Sequence, residues 1–291
     1  MTKMVALRLI VKNTSINKIN KGCVRSVKKL IAHCKQYRFL LGELVKKGIT
    51  LRYRRSFLGV FWTMLEPLLT MIVLTFIFGP LLGYSSDKTY PVYILSGRLI
   101  YTMFSQSTKE CTRAIRSNAA MIKKVYVPKY LFPLSHVIFN YIIFAISLIV
   151  LAIVSLILGV IPTWWLFTAI VPLINVFLLS LAVGMLLATI GVFFRDMEYL
   201  WIVALTLIMY MSAIFYNINE GKYSSIAILK LLKFNPLYCV IENFRGAIFS
   251  NTAACPFSWN LAVYTAVFSL VLLAFSAWLF HKKQDEFIMH I

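Results

Sequence analysis

Three arginines, Arg52, Arg54 and Arg55, stand directly before a long apolar run. Three positive charges at that spacing can anchor a membrane segment at the headgroup level, or attract an anionic headgroup or a diphosphate-linked substrate. Glu66, followed by Pro67, and Arg98 lie inside apolar runs. Charge at such depth is costly, so both are functional candidates, set against a mutual ion pair or hydrogen bonding inside a bundle. Tyr53, Phe57, Phe61, Trp62, Phe76, Phe78, Tyr90, Tyr93, Tyr101, Phe104, Tyr210, Phe215 and Tyr216 add a concentration of rings. Flat rings are platforms for sugar faces if they line a channel, and packing or interface belts if they do not.

Other chemistries find little support. Gly221-Lys222 lacks the upstream glycine and downstream hydroxyl of a phosphate-binding loop, so ATP hydrolysis by that route is not encoded. His33, His136, His281 and His290 are scattered, and no metal site is predicted. The carboxylate pairs Asp196/Glu198 and Asp285/Glu286 fall in ordinary junctions rather than in a divalent-cation cluster. Cys23, Cys34, Cys111, Cys239 and Cys255 match no zinc or redox spacing. Cys239 and Cys255 either pair or behave as small buried hydrophobes.

The elements that must position these residues are membrane helices. Of 291 residues 60% are hydrophobic and 14% charged, and mean hydropathy is +0.80. Soluble domains run nearer 45–50% apolar and about 25% charged, so an ordinary soluble enzyme, a disordered chain and a fibrous chain are excluded. No cleavable signal peptide is visible: Val5–Val11 is too short and is followed by a basic stretch. An all-α integral membrane protein with six transmembrane helices is predicted, at Phe57–Leu82, Pro91–Ser107, Leu131–Val160, Trp164–Phe194, Tyr199–Asn217 and Trp259–Phe280. The third and fourth form a hairpin around Ile161-Pro162-Thr163.

Orientation follows from the basic residues. Positions 1–55 carry fifteen Lys and Arg against the single acid Glu43. Lys109, Arg113, Arg116, Lys123, Lys124, Lys129, Arg195, Lys282 and Lys283 fall on the same side of a six-span chain. Lys88, Lys222, Lys230, Lys233 and Arg245 fall on the other. The richer side is cytoplasmic, with both termini inside. Tyr37, Leu40, Leu41, Leu44 and Val45 recur at helical spacing opposite Arg38, Glu43, Lys46 and Lys47, which predicts an amphipathic interfacial helix. Residues 1–55 thus read as a basic cytoplasmic segment and 56–291 as the membrane domain. Between the last two spans, 218–258 is too apolar for a solvated loop. Ile226–Leu232 and Pro236–Phe249 read as short helices of a re-entrant hairpin or a periplasmic cap, with Glu242 and Arg245 as an i,i+3 pair.

Several motifs then converge. Arg52-Tyr53-Arg54-Arg55-Ser56-Phe57-Leu58-Gly59, with Trp62 and Glu66-Pro67-Leu68, resembles the entry to the first span of the polysaccharide-export permeases. These are the type-two ABC exporters of O antigen, capsule and teichoic acid. Lys123-Lys124-Val125-Tyr126-Val127-Pro128 with Leu131-Phe132-Pro133-Leu134-Ser135 is similar to their link from coupling helix to third span. Phe194-Arg195-Asp196 resembles their junction between spans four and five. Asn235-Pro236-Leu237 with Ile241-Glu242-Asn243-Phe244-Arg245 resembles their outer-loop helix. The chain departs at Arg98, where a small or apolar residue is expected, and in a longer N-terminal extension.

The resemblance implies the permease subunit of an exporter in the bacterial inner membrane. Two copies would pair with two cytoplasmic ATPase subunits, which hold ATP and Mg; this chain would carry no cofactor and bind no nucleic acid. The substrate would be a polysaccharide, O antigen first, on an undecaprenyl diphosphate carrier. Arg52, Arg54 and Arg55 would attract the diphosphate. Tyr53, Phe57, Trp62, Glu66, Arg98, Tyr210 and Tyr216 would belong to the channel. Within the cytoplasmic segment 108–130, Glu110, Arg113, Arg116, Lys123 and Lys124 would couple to the ATPase. The alternatives are a membrane enzyme acting on polyprenyl-phosphate sugars and a permease for a small lipid or drug. The latter often carries a large domain between its first two spans, where Gly83–Tyr90 is tiny.

Overall fold

The structure is a computed structural model that describes residues 37–54, 57–84, 87–124, 127–160, 163–217, 232–250 and 255–290. Two compact units are present, Met1–Lys46 and Lys47–Ile291. In the first, 37–46 are helical. The second opens with helical residues 47–53 and, among the described residues, continues in seven main helices. They are α1 (Trp62–Leu82), α2 (Tyr90–Ser117), α3 (Leu131–Ile157), α4 (Ile170–Phe193), α5 (Met197–Met211), α6 (Pro236–Ile248) and α7 (Trp259–Lys283). A 3₁₀ turn at Trp164–Ala169 leads into α4, and one helical turn, Ala119–Ile122, follows α2. No strand occurs among the described residues.

Among the described residues four helices are long and apolar enough to cross a membrane: Trp62–Leu82, Leu131–Ile157, Trp164–Phe193 and Trp259–Lys283. These correspond to predicted spans one, three, four and six. The predicted second span is part of the 28-residue α2, about 42 Å long at 1.5 Å per residue. Arg98, Lys109, Glu110, Arg113 and Arg116 dilute its hydropathy. Residues 108–117, expected to begin a separate coupling segment, instead continue the same helix. The predicted fifth span keeps 15 helical residues, about 22 Å, against a hydrocarbon core of ~30 Å. It ends where Ala213 takes a left-handed φ of 47°.

α2 is the hub, packed against α1, α3, α4, α5 and α6, while α4 also packs along α7. The α2–α4 crossing is close because α4 presents Gly184, Ala188 and Gly191. A Cβ on Gly191 would lie 2.2 Å from Thr112 O, and one on Gly184 would lie 2.9 Å from Cys111 Sγ. Small residues let membrane helices approach in this way. Between α4 and α7, Asn175 Nδ2 donates to Thr265 Oγ1 at 2.8 Å and to Ala262 O at 3.1 Å. In α1, Pro67 has no N–H to give Thr63 O. Ser147 Oγ of α3 reaches that carbonyl at 3.1 Å, so the missing backbone donor is replaced from a neighbour.

The predicted outer helix at Pro236 forms, with Asn235 as N-cap accepting from Leu237 N at 3.0 Å and Pro236 in the first turn. Every residue from Leu237 to Ile248 is buried against the neighbouring helices. The helix expected at Ile226–Leu232 falls almost wholly outside the described residues, as do Cys23, Cys34, Lys222 and Lys230. Cys239 and Cys255 are buried and not joined in a disulfide, so the pairing left open by the sequence is not made. Cys239 Sγ turns to Lys233 O at 3.1 Å.

Candidate functional site

The helical residues 47–53 deliver Arg52 and Tyr53 to a polar pocket between α1, α2 and α3. Its walls include Glu66 and Thr70 of α1, Arg98, Thr102 and Gln106 of α2, and Asn140 of α3. The sequence had marked Arg52, Tyr53, Glu66 and Arg98 separately; the fold brings all four to one place. The cavity is about 50 Å³, room for a few waters and too small for a sugar ring.

Arg52 is held by three partners. Nη2 donates to Gln106 Oε1 at 2.6 Å and Nη1 to Asn140 Oδ1 at 3.0 Å, while Nη1 stands 3.9 Å from Glu110 Oε1. The guanidinium also lies 5.6 Å above the Phe139 ring. Glu110 is held in turn by Asn140 Nδ2 at 2.8 Å and His136 Nδ1 at 3.2 Å. Glu110→Gln should lower the thermal midpoint of the purified protein, because it leaves Arg52 and His136 without their carboxylate; an unchanged midpoint would exclude the network from stability.

Sequence reasoning missed Gln106, His136 and Asn140. The available signal was polar residues four apart, Gln106/Glu110 on α2 and His136/Asn140 on α3, within otherwise apolar surroundings. His136, read as one of four scattered histidines, is part of this network. No group of three or more His, Cys, Asp or Glu able to hold a metal occurs among the described residues.

The remaining candidates separate. Arg54 is exposed, and Arg55 lies outside the described residues. Glu66 is exposed on α1 and Arg98 half-buried. Among the described residues no ion pair joins them; Arg98 Nη1 lies 3.4 Å from Met209 Sδ, and its guanidinium 5.6 Å from the Tyr101 ring. Phe57, Trp62 and Tyr210 are exposed, whereas Tyr53 and Tyr216 are half-buried. Tyr90, Tyr93, Tyr101 and Phe104 are buried as packing residues.

Of the residues expected to couple to an ATPase, Glu110 belongs to the Arg52 network. Arg113 and Arg116, on the last turns of α2, meet Glu198 at 3.7 and 3.4 Å. Glu286 pairs with Lys283 at 2.7 Å. Lys123 and Lys124 are exposed just beyond the helical turn Ala119–Ile122.

Arg245 was read as an outer-loop charge or the partner of Glu242. It is fully buried instead. Nη1 donates to Ala213 O at 3.0 Å; Nη2 donates to Ile214 O at 2.8 Å and Tyr93 O at 3.2 Å. The guanidinium stacks 3.5 Å from the Tyr93 ring. Gly97 makes the space, since a Cβ there would stand 2.6 Å from Nη2.

Comparison with known proteins accords with this arrangement. Residues 40–249 match the family described as ABC-2 type transporter. An O-antigen export system permease protein RfbA of Myxococcus xanthus is 29% identical over 259 residues, covering 89% of this chain and 98% of that one. A protein of the same name from Klebsiella pneumoniae is 27% identical over 73% of this chain and 81% of its own length. The polysialic acid transport protein KpsM of Escherichia coli is 23% identical over 84% and 93% respectively. With a helical architecture, four helices among the described residues long and apolar enough to cross a membrane, and a family match over most of its length, the chain belongs to the ABC-2 type transporter family of membrane proteins.

Proposed function

We propose that this chain is the transmembrane subunit of an ABC exporter that moves lipid-linked polysaccharide, O antigen first, from cytoplasm to periplasm. The observation that carries the reading is the match to RfbA proteins over nearly their whole length. In this reading α2 and α5, with the segment that follows α5, supply the two further spans of a six-span fold. Helical residues 37–53 lie in the cytoplasmic interface, both termini are inside, and the membrane domain begins near residue 56. Two copies assemble with two ATPase subunits, which hold ATP and Mg.

Arg54 and Arg55 offer charge to the carrier diphosphate, and Arg52 fixes the segment that presents them. Each basic residue near an anionic surface contributes about 1 kcal/mol, so the pair raises local carrier occupancy roughly thirtyfold. Arg54→Gln with Arg55→Gln should leave insertion intact while surface polymer falls and lipid-linked polymer accumulates inside. Topology is checked by cysteine accessibility. Normal export by a correctly inserted variant would remove these arginines from the mechanism.

Docking of the ATPase is assigned to the end of α2 and the exposed Lys123 and Lys124. Purified alone, the chain should show no ATP turnover; co-expressed with its ATPase subunit, it should copurify with turnover. Reversing Lys123 and Lys124 to Glu should weaken that association about tenfold or more, as two interfacial like-charge contacts would. Reversing Lys222 and Lys230 should not. Equal effects of the two reversals would displace the docking site.

A further inference from the structure

α2 is bonded to α5, and to the segment leaving it, along their whole shared length. At one end Arg116 and Arg113 meet Glu198 at 3.4 and 3.7 Å. Next, Trp201 Nε1 donates to Thr108 Oγ1 at 3.0 Å. Tyr101 OH donates to Leu205 O at 2.8 Å, and Arg98 Nη1 contacts Met209 Sδ at 3.4 Å. At the far end Tyr90 OH donates to Phe215 O at 2.8 Å and Tyr93 OH to Tyr216 O at 3.0 Å. Arg245 of α6 takes the two preceding carbonyls, Ala213 O and Ile214 O. Four consecutive carbonyls of a non-helical segment are thus each satisfied by a side chain from α2 or α6.

Such a seam does not slide. Moving α5 along α2 by a helical turn would break these bonds together, and away from the exposed Arg113–Glu198 end no water would replace them. The neighbouring α1 is different. Its contact with the clamped segment is the stacked pair Phe78–Phe215, ring centroids 4.4 Å apart, a dispersion contact without the directional lock of a hydrogen bond, and it borders α2 across the pocket that holds Arg98 and Glu66.

We propose that α2 and α5 form one rigid transmission unit. The polar seam positions α5 on α2, so that a displacement applied at the Arg113–Arg116 end of α2 reaches the clamped Ala213–Tyr216 segment undiminished. α1 is the element that moves against this unit. Thr108, Trp201 and Tyr101 are positioning residues whose effect passes through helix placement. The inference rests on the exporter reading above, since ATP-driven motion is what the unit would transmit.

The test is pulsed electron spin resonance on the full permease–ATPase complex in lipid nanodiscs, with and without trapped ATP. Exposed positions carry the labels: Lys109→Cys with Leu207→Cys across the seam, and Val73→Cys with Leu207→Cys between α1 and α5. The seam distance should stay within about 2 Å, the scale of ordinary helix shifts, while the α1–α5 distance changes by clearly more. A seam distance that shifts as much as the α1–α5 distance would overturn the rigid unit. If neither changes on ATP trapping, the exporter reading fails and takes this inference with it. Tyr101→Phe with Thr108→Val removes the bonds to Leu205 O and from Trp201 Nε1 with almost no change of volume. It should broaden the seam distribution and lower polymer exported per ATP severalfold at an unchanged ATPase rate. Unaltered distances and unaltered export per ATP in this variant would show that the seam does not position α5.

Discussion

Arg245→Met should all but eliminate folded protein. Its guanidinium is completely buried and supplies three charge-assisted bonds, to Ala213 O, Ile214 O and Tyr93 O. Methionine fills part of the volume but leaves these carbonyls without their donors. Each unmet buried polar group costs about 1–3 kcal/mol, so three cost roughly 3–9. The same bonds hold Ala213 at φ 47°, a left-handed conformation that costs a non-glycine residue ~1–2 kcal/mol. Against a total stability of about 5–15 kcal/mol, the loss is decisive. Arg245→Lys should rescue only in part, because an ammonium cannot fork across several carbonyls while stacking on Tyr93. The measurement is the monodisperse fraction in detergent with its thermal midpoint. A wild-type midpoint for the methionine variant would contradict the clamp.

Gly191→Ala is the second large effect, and one methyl group produces it. The added Cβ would stand 2.2 Å from the backbone oxygen of Thr112, a contact that a side-chain rotation cannot relieve. α2 and α4 must separate where Cys111, Thr112, Gly184 and Ala188 pack most closely. Overpacking of this kind costs about 1–3 kcal/mol, and separation of α2 from α4 also disturbs the end of α2 that carries Arg113 and Arg116. Gly42→Ala, with no atom within 4 Å of its Cβ, serves as the control. It should be neutral or slightly stabilising through helix propensity. Equal thermal midpoints for the two variants would mean that the crossing is looser than described.

Both effects concern residues whose roles were hidden in the sequence. Hydropathy identified α1, α3, α4 and α7 because length and all-round apolarity suffice for a helix facing lipid. For α2 it bounded only the apolar stretch Pro91–Ser107, because charged residues dilute the final turns, and the helix itself runs on to Ser117. It extended α5 through Asn217 because Ala213, Ile214 and Phe215 are apolar. What ends the helix there is donors arriving from Tyr90, Tyr93 and Arg245, residues far away in the chain. Arg245 counted as a positive charge on the outer side and as the i,i+3 partner of Glu242, since composition carries no record of which carbonyls a guanidinium meets. Arg52 and Glu110 were assigned to different tasks, one to substrate and one to the ATPase, yet they stand 3.9 Å apart. Pro67 and Ser147 were equally unconnected until the fold placed one donor opposite one orphaned carbonyl.

The central claim is export of a lipid-linked polysaccharide, and it is tested most directly in the host cell. The gene is deleted and restored on a plasmid, while surface polymer and lipid-linked polymer in the inner leaflet are quantified together. Deletion should remove the surface polymer and raise the inner lipid-linked pool, with both reversed by the intact gene. Loss of lipid-linked polymer from both places would instead indicate a role in synthesis. Unchanged surface polymer in the deletion strain would contradict export by this chain.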